Sequence, residues 1–308
     1  MPTNDNNTKI TMTTNNSNSL KIKGFAAGIL AAMFYGTNPL GSLPLYADGF
    51  NSASVLFYRY ALAVAMFAIF MVVKKVPFTV KRGHLIRLAC LGTIFAMSST
   101  ALYVAFLFMD AGIASTILFS YPIMVAVLMV VFFHERASWI TALSIALATT
   151  GIALLYRGDG TAKLSAAGLT LVIVSSLLYA IYIIAVQRWH HPYSSVTFTF
   201  WIVLFGLAAI IIFSLLAGQS IQLLHTPRQW TCAIQLALLP TVLSLFLMNI
   251  AIKNIGSTPS AILGALEPVT AVVIGVTVFD EAFSLRLAIG IALILSAVII
   301  IVAKTTHH

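Results

Sequence analysis

One acid and one base stand inside apolar stretches of this chain, and three tyrosines share the acid's depth. Glu267 is the acid, in ILGALEPVTAV, and Arg59 the base, in YRYALA. A helix rises about 1.5 Å per residue, and the hydrocarbon of a bilayer is about 30 Å thick. On that ruler Tyr35 and Tyr179 lie roughly 16 Å into their stretches, and Tyr121 and Glu267 also fall near the midplane. An ionised carboxylate is expensive in hydrocarbon, so Glu267 must face the protein interior or a cavity. There it could carry a proton or hold an amine. It could equally be protonated and bonded to a neighbouring helix, or be part of a Glu-Pro kink. Arg59 lies roughly 10 Å from the nearer end of its stretch. Snorkelling, pairing with another helix, an ion pair and contact with a substrate carboxylate are all open to it.

Tyr121 and Glu267 each directly precede a proline, Pro122 and Pro268. Proline removes a backbone donor and frees a carbonyl, which is tolerated at membrane depth only where protein or cavity water satisfies it. The first apolar stretch is interrupted as well, with Asn38, Pro39, Gly41 and Pro44 in FYGTNPLGSLP. Such breaks expose polar backbone and suit a binding site; a simple kink is the other reading. Tyr103, on the same stretch as Ser98 and Ser99, and Trp201 are further positions able to line a path, although a serine in a membrane helix usually bonds its own backbone. The candidate cavity residues are therefore Tyr35, Asn38, Arg59, Tyr103, Tyr121, Tyr179, Trp201 and Glu267, with Glu267 the candidate for proton coupling and Pro39, Pro122 and Pro268 the helix breaks. No nucleophile elbow, Walker motif, paired carboxylates or metal-spaced histidines occur, so no enzyme, cofactor or metal is expected.

The elements that must position these residues are membrane helices. The chain is 60% hydrophobic and 8% charged, against roughly 25% charged in soluble domains. Apolar windows predict ten spans at about 24–45, 52–73, 85–108, 111–133, 139–156, 166–187, 195–217, 230–252, 258–279 and 285–303. Residues 1–20, rich in Asn and Thr, read as a disordered cytoplasmic tail. Cys90 and Cys232 read as buried free thiols. With the N-terminus in the cytoplasm, twelve Lys and Arg fall on the cytoplasmic side and four outside. The net charge of +9 is then a topology signal and calls for no nucleic acid. Trp139, Trp189 and Trp230 fall at span ends, as an interfacial belt requires. The expected setting is a bacterial inner membrane, with both termini cytoplasmic, the lipid bilayer and a small-molecule substrate as partners, and a monomer sufficient for the reading.

The chain also repeats itself. Ile117–Leu155 aligns without a gap on Leu263–Ile301, matching Pro122 with Pro268, Glu135 with Glu281 and Ile145-Ala146-Leu147 with Ile291-Ala292-Leu293. At a slightly shorter offset Gly24 pairs with Gly168, Tyr35 with Tyr179 and Gly112 with Gly256. Five spans per half force the two copies to enter the membrane from opposite sides. Glu135 and Glu281 then sit in loops on opposite faces, and Tyr121 faces Glu267 across the pseudo-symmetry. The fold expected is all-α and polytopic: ten transmembrane helices in two inverted five-helix repeats, at 24–156 and 166–303, the architecture of secondary transporters.

SYPIMVAVLMVVFFHE and LEPVTAVVIGVTVFDE, the glycine-containing openings GFAAGILAAMFYG and GLTLVIVSSLLYA, and the Arg59 stretch together resemble the EamA family of the drug/metabolite transporter superfamily over about residues 24–303. The resemblance implies a solute carrier with a central cavity, often an exporter of amino acids or other metabolites, and names no substrate. Helix 1, with Pro39, Gly41 and Pro44, is more broken than is usual in that family. The expectation is a secondary active transporter of small organic metabolites, by alternating access, in the export direction and proton-coupled. A flippase for lipid or lipid-linked sugar on the same fold is the main rival, and a non-transporting sensor or assembly factor the weaker one.

Overall fold

A computed structural model describes residues 5–109, 114, 117–134, 138–155, 165–189, 191–278 and 284–306. Glu135, Glu281 and Gly112, singled out above, lie outside the described residues. Every regular element among the described residues is helical: α1 (Asp5–Tyr35), α2 (Asn38–Ala47), α3 (Ser52–Val73), α4 (Arg82–Ala105), α5 (Tyr121–Phe133), α6 (Trp139–Leu155), α7 (Ala166–Arg188), α8 (Ser195–Leu216), α9 (Pro227–Ala237), a π-turn (Leu238–Leu243), α10 (Ser244–Ile255), α11 (Ser257–Leu263), α12 (Leu266–Val278) and α13 (Leu285–Thr306).

These helices make ten spans. Seven are long and apolar enough on their own: α3, α4, α7, α8, the run α9–α10, the run α11–α12, and α13. The shorter apolar helices α5 and α6 supply two more. The interrupted pair α1–α2 supplies the first. Two points differ from expectation. α1 starts at Asp5, inside the stretch read as a disordered tail; adding a residue to an existing helix gains one hydrogen bond without a new nucleus, which offsets the weak propensity of Asn and Thr. Cys90 is free but exposed on α4, so only Cys232 is shielded, and partly.

Packing shows the inverted repeat directly. Exchange each span with the one five later, and the most extensive helix pairs map onto one another; the exception is the packing of α11 and α12 on α13, which α5 and α6 do not match. α1 packs on α10 as α7 packs on α4; α4 packs on α8 as α9 packs on α3; α5 packs on α7 as α11 and α12 pack on α1. The pairs α3–α8 and α6–α13 map onto themselves. Gly24 and Gly168 do the same job in the two halves. A Cβ at Gly24 would lie 2.8 Å from Asn254 Cβ, and one at Gly168 would lie 3.0 Å from Met109 Sδ. Each lets span 1 or 6 approach the end of span 8 or 3, as small residues do in membrane bundles.

Spans 4 and 9 break at matching places. The turns at Phe119–Ser120 and Gly264–Ala265 lie just ahead of Pro122 and Pro268. Placing proline in the first turn of a new helix loses no helical hydrogen bond there. The carbonyls left over find partners. Pro122 cannot bond Leu118 O, and Ser176 Oγ of α7 donates to it at 2.9 Å. Pro268 leaves Gly264 O to the Glu267 N–H, at 2.9 Å. Pro240 produces the π-turn, where Thr241 Oγ1 donates to Leu236 O at 2.8 Å.

Candidate functional site

Arg59 is fully buried on α3, so it does not snorkel. Its Nε donates to Thr241 Oγ1 at 2.7 Å, Nη1 to Tyr103 Oη at 3.2 Å and Nη2 to Pro240 O at 3.3 Å. Two of these acceptors exist because the π-turn opens span 8 at that depth. The guanidinium lies over the Tyr35 ring, 5.4 Å from its centroid. A fixed cation inside a protein needs such a cage, since unpaired buried charge is costly. With Tyr35 as a further side-chain hydrogen-bond partner, four of the five N–H donors of the guanidinium are engaged among the described residues, which leaves one for a further partner.

Glu267 opens α12 just past the break in span 9, and it too is buried. Its carboxylate receives no hydrogen bond among the described residues, and it lies within electrostatic range of Arg59, Tyr121 and Tyr179. The backbone of span 1 comes close here: a Cβ on Gly36 would lie 2.5 Å from Glu267 O. The break after Tyr35 therefore brings the two interrupted spans together. Tyr121, the pseudo-equivalent of Glu267, is buried and donates to Ala261 O in α11 at 3.1 Å. Its ring meets Tyr179 edge-on at 4.8 Å, and Tyr179 lies parallel to Tyr182 at 6.2 Å. The outcome is a buried aromatic cluster at the junction of the halves, with a cation from span 2 and a carboxyl from span 9.

The structure thus brings together Tyr35, Arg59, Tyr103, Tyr121, Tyr179 and Glu267. It places Trp201 elsewhere: its indole Nε1 donates to Phe78 O at 3.0 Å, tying α8 to the loop between α3 and α4. Asn38 stands at the start of α2 with its Oδ1 buried and unpartnered. Pro39 and Pro44 follow in that same short helix, so the break in span 1 falls before them, at Gly36–Thr37. Ser98 and Ser175 exchange hydrogen bonds with each other's carbonyls at 2.8 and 2.7 Å, and Ser99 bonds Tyr60 at 3.1 Å. Those serines fasten helices and do not line a path.

Several polar residues here were not picked out from sequence. Gln235 of α9 donates to Thr37 O at 3.1 Å and to Thr37 Oγ1 at 3.0 Å, covering the break in span 1. Tyr46 has a buried, unpartnered hydroxyl and packs on Tyr103 at 6.2 Å. Tyr182, Asn249 and Thr199 form a polar link across α7, α10 and α8 at 3.0 and 2.9 Å. In the loop before α8, His191 stacks on Phe198 at 4.1 Å. Burial, with Lys253 nearby, pushes its ring down to about 4, so it is neutral at physiological pH.

Residues 22–157 and 166–303 each match the EamA-like transporter family. The chain is 29% identical over 208 residues to an uncharacterized transporter of Synechocystis sp., covering 66% of this chain and 62% of that protein. It is 28% identical over 208 residues to an uncharacterized transporter of Archaeoglobus fulgidus, covering 67% and 73%. The match to the Synechocystis protein therefore spans under two thirds of that relative's length. A solved crystal structure superposes with a TM-score of 0.76 at 15% identity, over 90% of this chain and 95% of the other. At that identity the likeness speaks for the fold alone.

Proposed function

This chain belongs to the EamA-like transporter family, and from that premise we propose that it is a secondary active transporter exporting a small zwitterionic metabolite, an amino acid or a close relative, across a bacterial inner membrane. The observation that carries the reading is the pairing of unlike charges in one aromatic cluster: Arg59, with a donor to spare, and Glu267, whose carboxyl receives no hydrogen bond among the described residues. A substrate carboxylate would complete the Arg59 fork, and a substrate ammonium would neutralise Glu267. The tyrosine faces favour the same ammonium through their quadrupoles.

Glu267 also supplies a means of coupling. One buried carboxylate can be neutralised by a proton or by an ammonium, and not by both. Competition of the two for one group yields exchange: a proton enters as the solute leaves. Alternating access would follow from the inverted halves, each exposing the cluster to one side in turn.

Uptake by proteoliposomes tests the binding assignment. Matched solutes would be an amino acid, its decarboxylated amine and its deaminated acid. Arg59→Ala is expected to weaken the two carboxylates at least about tenfold while leaving the amine within about threefold, a difference of the size of one charge-assisted hydrogen bond. Equal loss for all three solutes would make Arg59 structural and remove it from the site.

A further inference from the structure

A groove of about 930 Å³ opens on the outer wall of the bundle, lined by none of the residues of the Arg59–Glu267 cluster. Its walls are α5 (Ile123, Val127, Val130) and α6 (Ala142, Ile145, Ala146), and its floor is the Gly256–Pro259 start of α11. The gap exists because α5 packs on α7 and α11, while α6 packs on α13 and α12, instead of closing against each other. Val127 and Val131 are 53% and 58% exposed, so this wall faces hydrocarbon in a bilayer. One end is different in kind: Lys21 and Lys304 stand there beside Ser138 and Thr141. The Lys304 ammonium donates to Thr141 Oγ1 at 2.9 Å. From that end to Thr149 the groove runs along α6 for roughly 16 Å, about one leaflet of hydrocarbon.

We propose that this groove binds an anionic phospholipid, its phosphate held by Lys21 and Lys304 and one acyl chain lying along the α5 and α6 walls. Charge and shape both argue for that occupant. An apolar slot of leaflet depth takes an acyl chain and rejects a polar solute. Two ammonium groups at its head, with no acid among the described lining residues, call for a phosphate. A neutral lipid would fill the slot and leave the ammonium pair unanswered. The face carrying Lys21 and Lys304 is the one whose excess of Lys and Arg reads as cytoplasmic, where anionic lipid is concentrated. The groove floor is the first half of span 9, whose second half carries Glu267, so a bound lipid braces the element that presents the carboxyl.

Native mass spectrometry of the full-length protein in neutral detergent tests this, with phosphatidylglycerol and phosphatidylcholine of identical chains as probes and thermal midpoint as a second readout. Phosphatidylglycerol is expected to bind at least about tenfold more tightly and to raise the midpoint, on roughly 1 kcal/mol per lysine near the headgroups. The double variant Lys21→Ala with Lys304→Ala should lose that preference, and Lys21→Arg with Lys304→Arg should keep it. Ala146→Trp, which fills the slot, should weaken both lipids. If the alanine pair does not fold, the arginine pair and Ala146→Trp still decide. Equal binding of the two lipids, an undiminished preference in the alanine pair, or glycerol phosphate binding as tightly as the lipid would overturn the proposal.

Discussion

At the scale of single residues, Arg59 is fixed by geometry that lysine cannot copy. Its fork reaches Thr241, Tyr103 and Pro240 O in three directions, whereas an ammonium is a compact point charge on a flexible stem. Arg59→Lys is expected to keep the charge and still lose about 1–3 kcal/mol of stability from buried groups left unpaired, read as a lower thermal midpoint in detergent. A midpoint equal to wild type would mean that the cage adds nothing. His191 makes a separate prediction. Its protonation is disfavoured when folded, down to about 4, against an ordinary value of 6.5. The unfolded chain therefore binds the extra proton first, and stability should fall as pH drops from about 6.5 towards 4. His191→Gln should flatten the midpoint-against-pH curve in that window; an unchanged slope would assign it to other groups.

At the scale of elements, the breaks in spans 1, 4, 8 and 9 build the site, and each needs an outside partner for its freed backbone. Ser176 supplies one for Leu118 O, which Pro122 cannot bond. Ser176→Ala should destabilise by about 1 kcal/mol. Pro122→Ala restores an N–H able to bond that carbonyl, so it should recover most of the loss in the Ser176→Ala background. A double-mutant cycle of thermal midpoints reads the coupling, and strict additivity would show that the two residues do not share the carbonyl. The prolines that mark breaks in spans 4 and 9 were legible in sequence, and so were Glu267 and Arg59, because charge inside an apolar run needs no alignment to see. The partners were not legible. Thr241 and Gln235 meet Arg59 and Thr37 from about 180 and 200 residues away, and which face of a helix turns inward depends on packing that composition does not encode. Trp201 shows the converse: an amphipathic ring at a suitable depth count was drawn to a loop carbonyl instead.

At the scale of the molecule, the exchange of helix pairs between halves defines two equivalent bundles, and the site sits where their equivalence fails. Tyr121 closes a side-chain hydrogen bond to Ala261 O; the carboxyl of Glu267, its counterpart, receives none among the described residues. On the proposed function, the two bundles would rock between two states, and the occupancy of the Glu267 carboxyl would decide which crossings carry substrate. The repeat was visible in the sequence through paired prolines and glycines, whereas the make-up of the cluster was not, since it depends on breaks in spans 1 and 8 that the paired residues do not mark. The direct test is amino-acid flux in proteoliposomes under an imposed pH gradient, comparing wild type with Glu267→Gln. The account predicts that wild type drives solute against its concentration gradient when protons flow the other way, and that Glu267→Gln loses all response to the pH gradient. Transport by Glu267→Gln at the wild-type rate with the wild-type pH dependence would contradict it.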